Sequence, residues 1–192
     1  MILGVLALQG DFIEHQAVLE KLGVEVRQVR LPAQLDGLSG LIIPGGESTT
    51  IGKLAVEFGL MDPLRAFGQA HAIWGTCAGA IFMSRDIHRS QPLLGLMDIT
   101  VERNAFGRQV DSFETDIAVD FPNNGSHPQA PFHAIFIRAP LIEAVGADAQ
   151  VISRLADGRI VAAQQGRLLA TSFHPELTAD DRFHRYFLEL AK

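Results

Sequence analysis

The stretch Ala72-Ile73-Trp74-Gly75-Thr76-Cys77-Ala78-Gly79 constrains this chain more than any other. Residues 72–74 form a short apolar run suited to a buried strand, and residues 78–84 read as the opening of a helix, so the single cysteine falls at the junction. A strand that passes straight into a helix needs a sharp turn. Glycines two residues before and two after Cys77 leave room for the backbone to double back, which lifts the cysteine above the carboxyl end of the sheet. This is the nucleophile-elbow pattern, with sulfur in place of a hydroxyl. The first turn of a helix also favours thiolate over thiol through the helix dipole. Two readings follow: Cys77 is a catalytic nucleophile, or it is a small core hydrophobe, the commonest fate of a lone cysteine. The flanking glycines favour the first.

The rest of the chain predicts the sheet that such an elbow requires. Residues 2–8 are continuously apolar, as in a strand covered on both faces. Gln9-Gly10-Asp11 turns the chain with Asp11 as helix N-cap, Phe12, Leu19 and Leu22 recur at helical spacing, and Gly23 fits the stop position. Residues 24–29 make the next strand, and a βαβ unit of this length predicts a right-handed crossover and an α/β fold. Residues 41–43 are a third buried strand, ending in Pro44-Gly45-Gly46-Glu47-Ser48-Thr49-Thr50. That segment reads as a βα turn with Ser48 as N-cap, and its paired glycines can also bring backbone N–H groups close to a ligand. The spacing and lysine of a phosphate loop are absent. Helical segments are expected at 51–58 and 63–67.

Beyond the elbow helix, residues 85–91 read as a loop. Strand-like runs at 99–101, 113–119 and 132–137 have no obvious helices between them, which predicts an antiparallel or mixed half. Residues 121–128 are a loop by composition, and 151–155 with 159–163 give the best hairpin signal. Residues 168–173 form a last strand, broken at His174-Pro175-Glu176, and residues 180–192 carry Phe183, Phe187 and Leu190 on one helical face. With 192 residues and 47% hydrophobic content, the chain has material for one good core, so a single domain over residues 1–192 is expected. A formal charge of −6 and the lack of any Lys/Arg run argue against a nucleic-acid partner. One cysteine forms no internal disulfide, and the apolar N-terminus ends at Gln9, too soon for a membrane span and without a basic leader. A soluble, cytoplasmic protein is expected.

A cysteine nucleophile needs a base within hydrogen-bond reach and a group that holds the base. Of seven histidines, His174 alone ends a strand as Cys77 does, and ligands in open α/β sheets gather at the carboxyl ends of strands. His15, His71, His88, His127, His133 and His184 lie in helices, loops or strand bodies, where solvent or packing accounts for them. Glu176, linked to His174 through Pro175, can accept the Nδ1 proton and leave the other ring nitrogen facing sulfur. The plain alternative is a Pro-Glu helix start beside an incidental histidine. For an oxyanion hole, the Ala78 N–H is one natural donor and the Gly45-Gly46 turn can supply a second.

With these residues in place, the chain resembles the class I (triad) glutamine amidotransferases. Within that class it is most similar to the glutaminase subunits of pyridoxal 5′-phosphate synthase. The matching stretches are Val5-Leu6-Ala7-Leu8-Gln9-Gly10-Asp11, Pro44-Gly45-Gly46-Glu47-Ser48-Thr49, Gly75-Thr76-Cys77-Ala78-Gly79, Val101-Glu102-Arg103-Asn104-Ala105-Phe106-Gly107-Arg108-Gln109, Phe136-Ile137-Arg138-Ala139-Pro140 and Ala170-Thr171-Ser172-Phe173-His174-Pro175-Glu176-Leu177. The resemblance implies a flavodoxin-like three-layer α/β sandwich with a mainly parallel mixed sheet and a Cys77, His174, Glu176 triad. It implies an oxyanion hole at Gly46 and Ala78, and L-glutamine binding by Gly46, Glu47, Ser48, Arg103, Ile137 and Arg138. Without the motifs, Arg103 and Arg138 would read as surface charge. No metal or cofactor is implied. The implied partner is the synthase subunit that receives the ammonia, with Gln9, Gly10 and the following helix as part of the docking face. Alternatives are a glutaminase serving another ammonia acceptor, a non-catalytic regulatory module that keeps the cysteine for redox sensing, and a peptidase of related fold.

Overall fold

The computed structural model describes residues 1–103, 112–122 and 130–192. The Asn104-Ala105-Phe106-Gly107-Arg108-Gln109 part of the fourth motif, His127 and most of the loop expected at 121–128 lie outside the described residues. In chain order, β1 (Ile2–Leu6), α1 (Phe12–Lys21) and β2 (Glu25–Val29) form the expected βαβ unit. A 3-10 turn, Pro32–Leu35, leads to β3 (Gly40–Ile43), followed by α2 (Ser48–Glu57) and α3 (Met61–Ala70). Next come β4 (Ala72–Thr76), α4 (Ala78–Met83), β5 (Ser84–Asp86), β6 (Met97–Glu102) and β7 (Ser112–Ile117). The chain ends with β8 (Phe132–Ile137), β9 (Leu141–Val145), β10 (Gln150–Arg154), β11 (Ile160–Gln165), β12 (Leu168–Thr171) and α5 (Arg182–Leu190).

Among the described residues the main sheet has the order β2-β1-β3-β4-β12-β11-β9-β6-β5, with β10 paired to β11. Pairing is parallel from β2 through β12, and β12, β11, β9 and β6 pair antiparallel in turn. β7 and β8 form a separate antiparallel pair. The mixed second half is therefore as expected. Two readings need correction. Residues 84–86 pair with β6 as the short strand β5, where a loop over 85–91 was expected. The N-cap of α2 is Glu47 and not Ser48: its carboxylate accepts from the Thr49 and Thr50 N–H groups at 3.0 and 2.7 Å, and Ser48 becomes the first, buried residue of the helix.

Alternation along the central strands sorts side chains onto the two faces. Leu41, Ile43, Ile73, Leu168 and Ala170 pack with residues of α2, α3 and α4 on one side. Ile42, Ala72, Trp74 and Leu169 pack with α1 and α5 on the other. Trp74 lies 5.7 Å from the Phe187 ring and 6.3 Å from Phe183, so the C-terminal helix covers that face as its periodicity predicts. Three layers result, with strands buried on both sides, which is why β3, β4 and β12 read as unbroken apolar runs.

Candidate active site

Register brings the distant motifs together. Ile43 pairs with Gly75 and Ala170 pairs with the same residue, so β3, β4 and β12 reach their carboxyl ends side by side with β4 in the middle. The segments that leave those ends carry Gly45-Gly46, Cys77 and His174. The Cys77 N–H donates to the Thr171 carbonyl at 2.8 Å, which fixes the elbow to β12. The His174 N–H donates to the Ile135 carbonyl at 2.9 Å, which fixes His174 to β8.

Cys77 has φ +46° and ψ −105°, a strained conformation for a residue with a side chain. The strain persists because the elbow is packed from beneath. A Cβ on Gly75 would lie 2.5 Å from the Gly79 carbonyl carbon, so strand and helix touch where glycine is the only residue that fits. Cys77 is 6% exposed, and its side chain acts electrostatically on the His174 ring. On the far side of the ring, Nδ1–H donates to Glu176 Oε1 at 2.7 Å, and Asp11 Oδ2 stands 3.4 Å from the same nitrogen. Asp11 occupies the N-cap position of α1 but makes no side-chain cap bond; its carboxylate faces His174 instead.

Burial opposes charge on His174, yet the interactions with Cys77 and Glu176, and the charges of both, raise its pKa well above the usual histidine range. The charged imidazolium is thus the favoured form of His174. Burial raises the pKa of Glu176, against the opposing pull of His174.

The thiol opens into a cavity of about 430 Å³, large enough for an amino-acid side chain and its α-carbon groups. Its lining includes Cys77, His174, Gly46 and Ala78, together with Glu47, Ser48, Arg103, Ile137 and Arg138. Every sequence-predicted site residue therefore lines one cavity, except Glu176, which sits behind His174. Gln9, Gly10 and Asp11 also line it, as does Ile81, for which no sequence signal stood out.

Arg103 is a tethered group and not loose surface charge. Its guanidinium donates to Glu47 Oε1 at 3.0 Å, Thr49 Oγ1 at 3.1 Å and Gln91 Oε1 at 2.9 Å. Desolvation is the largest single influence on Glu47 and opposes its charge, but the bonds from Thr50 and Thr49 together outweigh it and lower its pKa to about 2. Arg138 follows Ile137 at the end of β8 with φ +43°, and the Ile137 carbonyl lies 3.9 Å from the Cys77 sulfur.

A buried polar group beneath the triad was not legible in the sequence. His15 is fully buried, with Nε2 3.1 Å from Thr76 Oγ1 and 3.3 Å from Glu176 Oε2, and Nδ1 3.1 Å from His184 Nε2. His15 and His184 are packed in the core, and the contact between their rings adds to the reading that solvent or packing accounts for them. Burial lowers the pKa of both, that of His184 to about 4. Among the described residues, Asp11, His174 and Glu176 are the one cluster with metal-ligand spacing; the His174 Nδ1–H bond to Glu176 already accounts for its closeness.

The arrangement can deliver a thiolate to a carbonyl carbon and a proton to its leaving group. Comparison with known proteins agrees with this chemistry. The model of the SNO glutamine amidotransferase family matches residues 5–192. Pyridoxal 5′-phosphate synthase subunit PdxT of Herpetosiphon aurantiacus is 59% identical over 99% of this chain and 100% of its own length. The same subunit of Pelotomaculum thermopropionicum is 58% identical over 98% and 94%. Among solved structures, that of a glutamine amidotransferase superposes with a TM-score of 0.91 at 52% identity, covering 100% of this chain and 99% of the other.

Proposed function

The chain belongs to the SNO glutamine amidotransferase family, and from that premise we propose that it is the glutaminase subunit of a pyridoxal 5′-phosphate synthase, one domain acting in the cytoplasm beside a synthase partner. The observation that carries this reading is the row Cys77, His174, Glu176 at the adjoining ends of β4 and β12, opening into a cavity with two arginines at its edge.

In this mechanism the Cys77 thiolate attacks the side-chain amide carbon of L-glutamine. Negative charge gathers on the amide oxygen, where the Ala78 N–H and the Gly46 backbone act as donors. The His174 imidazolium gives its proton to the amide nitrogen, the C–N bond breaks, and ammonia leaves a glutamyl thioester on sulfur. Water then attacks the thioester while His174 takes its proton, releasing glutamate and restoring the thiolate–imidazolium pair. Glu176 steadies the ring in both half-reactions. Arg103 and Arg138 address the glutamine α-carboxylate, Glu47 and Ser48 the ammonium end, and Ile137 the side-chain stem. Ammonia released to bulk water would be protonated and lose its nucleophilicity, so it passes directly to the synthase subunit, with Gln9, Gly10 and α1 in the docking face. No helix among the described residues is long and apolar enough to cross a membrane, which suits a soluble subunit.

The test is glutamine hydrolysis by wild type and Cys77→Ala, each with and without the pyridoxal 5′-phosphate synthase subunit. Activity is expected only from wild type with its partner. Substantial turnover by the alanine variant ends the nucleophile assignment, and capture of a different synthase in its place ends the assignment of the acceptor.

A further inference from the structure

Glu176 is used twice. One carboxylate oxygen, Oε1, accepts from His174 Nδ1–H at 2.7 Å; the other, Oε2, is buried and has no aligned hydrogen bond among the described residues. The group facing Oε2 is His15 Nε2, at 3.3 Å. His15 comes from the first turns of α1, more than 150 residues away along the chain.

The tautomer of His15 follows from its neighbours. If Nε2 were bare it could accept from the Thr76 hydroxyl at 3.1 Å, but its lone pair would also face Glu176 Oε2 at 3.3 Å and leave that oxygen unsatisfied in the interior. Nε2 therefore carries the proton, and Nδ1 accepts from His184 Nε2–H at 3.1 Å. That leaves His184 Nδ1 as a bare acceptor without a partner among the described residues. The reverse arrangement would strand an N–H there, which costs more.

Other elements supply few competing charges. β4 contributes Thr76 Oγ1 at 3.1 Å and the edge of Trp74 at 5.5 Å; α5 contributes His184, with Asp181 acting on it; the turn after β12 contributes Glu176 and His174. At the N-cap of α1, Asp11 turns its carboxylate to His174. Burial keeps His15 neutral, so it offers a proton to Oε2 without adding charge.

We propose that His15 is a positioning residue for the Cys77–His174 pair: its Nε2–H, bonded to Thr76 Oγ1 and 3.3 Å from Glu176 Oε2, holds that carboxylate ionised and turned toward His174, while His184 fixes the His15 tautomer. The inference rests on the glutaminase reading above. Removing the donor leaves Oε2 facing an apolar wall, where Glu176 holds a proton to higher pH and supports the His174 imidazolium less well.

The experiment uses the full chain assembled with the pyridoxal 5′-phosphate synthase subunit and follows glutamate release across pH. His15→Phe is expected to lower kcat by about 10–100-fold, the range for outer partners that orient an active histidine, with KM for glutamine little changed. Its acid limb in kcat/KM should move up by about one pH unit. His15→Gln, which can place an N–H near the same point, should recover most of kcat and the wild-type acid limb. His133→Gln, on the exposed face of β8, should behave as wild type. Histidine ¹⁵N NMR of the unmodified chain should find His15 as the Nε2–H tautomer, a measurement that does not depend on any variant folding. A His15→Phe enzyme with the wild-type kcat and acid limb overturns the proposal, as does a His15→Gln enzyme as impaired as the Phe variant, or an Nδ1–H tautomer. A wild-type complex that releases no glutamate would instead defeat the glutaminase reading, and the tautomer would still decide the hydrogen-bond network.

Discussion

Replacing Gly75 by alanine tests whether the elbow geometry is what makes Cys77 reactive. Gly75 lies inside β4, and its φ is not in the left-handed region, so the methyl group adds no backbone strain of its own. The added Cβ would stand 2.5 Å from the Gly79 carbonyl carbon, 2.6 Å from its oxygen and 2.7 Å from the Ala80 nitrogen, where ordinary contact begins near 3.4 Å. All three are backbone atoms, so no side chain can rotate away. The start of α4 has to retreat by about 0.9 Å along that line, a figure set by those contact distances. The Cys77 sulfur and the Ala78 N–H travel with it. Overpacking of this kind costs about 1–3 kcal/mol. For a chain of this size, each kcal/mol lowers Tm by about 2–4 °C, so a fall of about 2–12 °C is expected. A misplacement near 1 Å at a nucleophile costs about 100-fold in rate. Calorimetry and glutamine hydrolysis with the synthase partner read both quantities, with KM expected to stay close to wild type because the arginines do not move. Wild-type Tm together with wild-type kcat would show that strand and helix do not meet at this point, and the account of the elbow would fall.

Cys77→Ser should keep its Tm while glutamine hydrolysis drops by about 10³-fold or more; mass spectrometry should find one adduct of a glutamine-mimicking electrophile on wild type and none on the variant. The raised pKa of His174 means that its charged form stabilises the fold fully below about pH 6.5, the ordinary histidine value, and that this contribution fades as pH rises through about 10. Denaturation curves of wild type and His174→Ala should therefore converge across that window, and a difference that grows with pH would contradict the pairing. Glu47→Ala should cost about 1 kcal/mol through the lost cap and raise KM for glutamine by releasing Arg103. Because the Glu47 pKa is lowered to about 2, its stabilising effect is present above the ordinary carboxylate range and lost as pH falls toward that value. Acid titration of the stability difference between Glu47→Ala and wild type checks the sign.

Local pattern carried much of this protein. The elbow was legible because a strand passing directly into a helix leaves a short apolar run, a glycine on each side and one reactive residue between them. β3 and β12 were legible because burial on both faces removes polar alternation. His174 and Glu176 stood out as a strand end followed by a stiff dipeptide, and the helical face of Phe183 and Phe187 announced the helix that covers Trp74. Other features left no such trace. β9, at Leu141–Val145, is too short and too mixed in polarity to announce itself. The cap of α2 passed from Ser48 to Glu47 because Arg103, over fifty residues away, holds that carboxylate in place. Gln91, read as loop, anchors the same arginine.

His15 marks the boundary most clearly. Spacing and composition prescribe which residues make helices, strands and turns, since those follow from steric and solvent preferences that act over a few neighbours. Whether an imidazole on the first helix meets a carboxylate near the far end of the chain depends on sheet order and on the height at which each strand stops. Those are long-range matters, settled when β3, β4 and β12 align and the helices close over them, and no local run of residues encodes them.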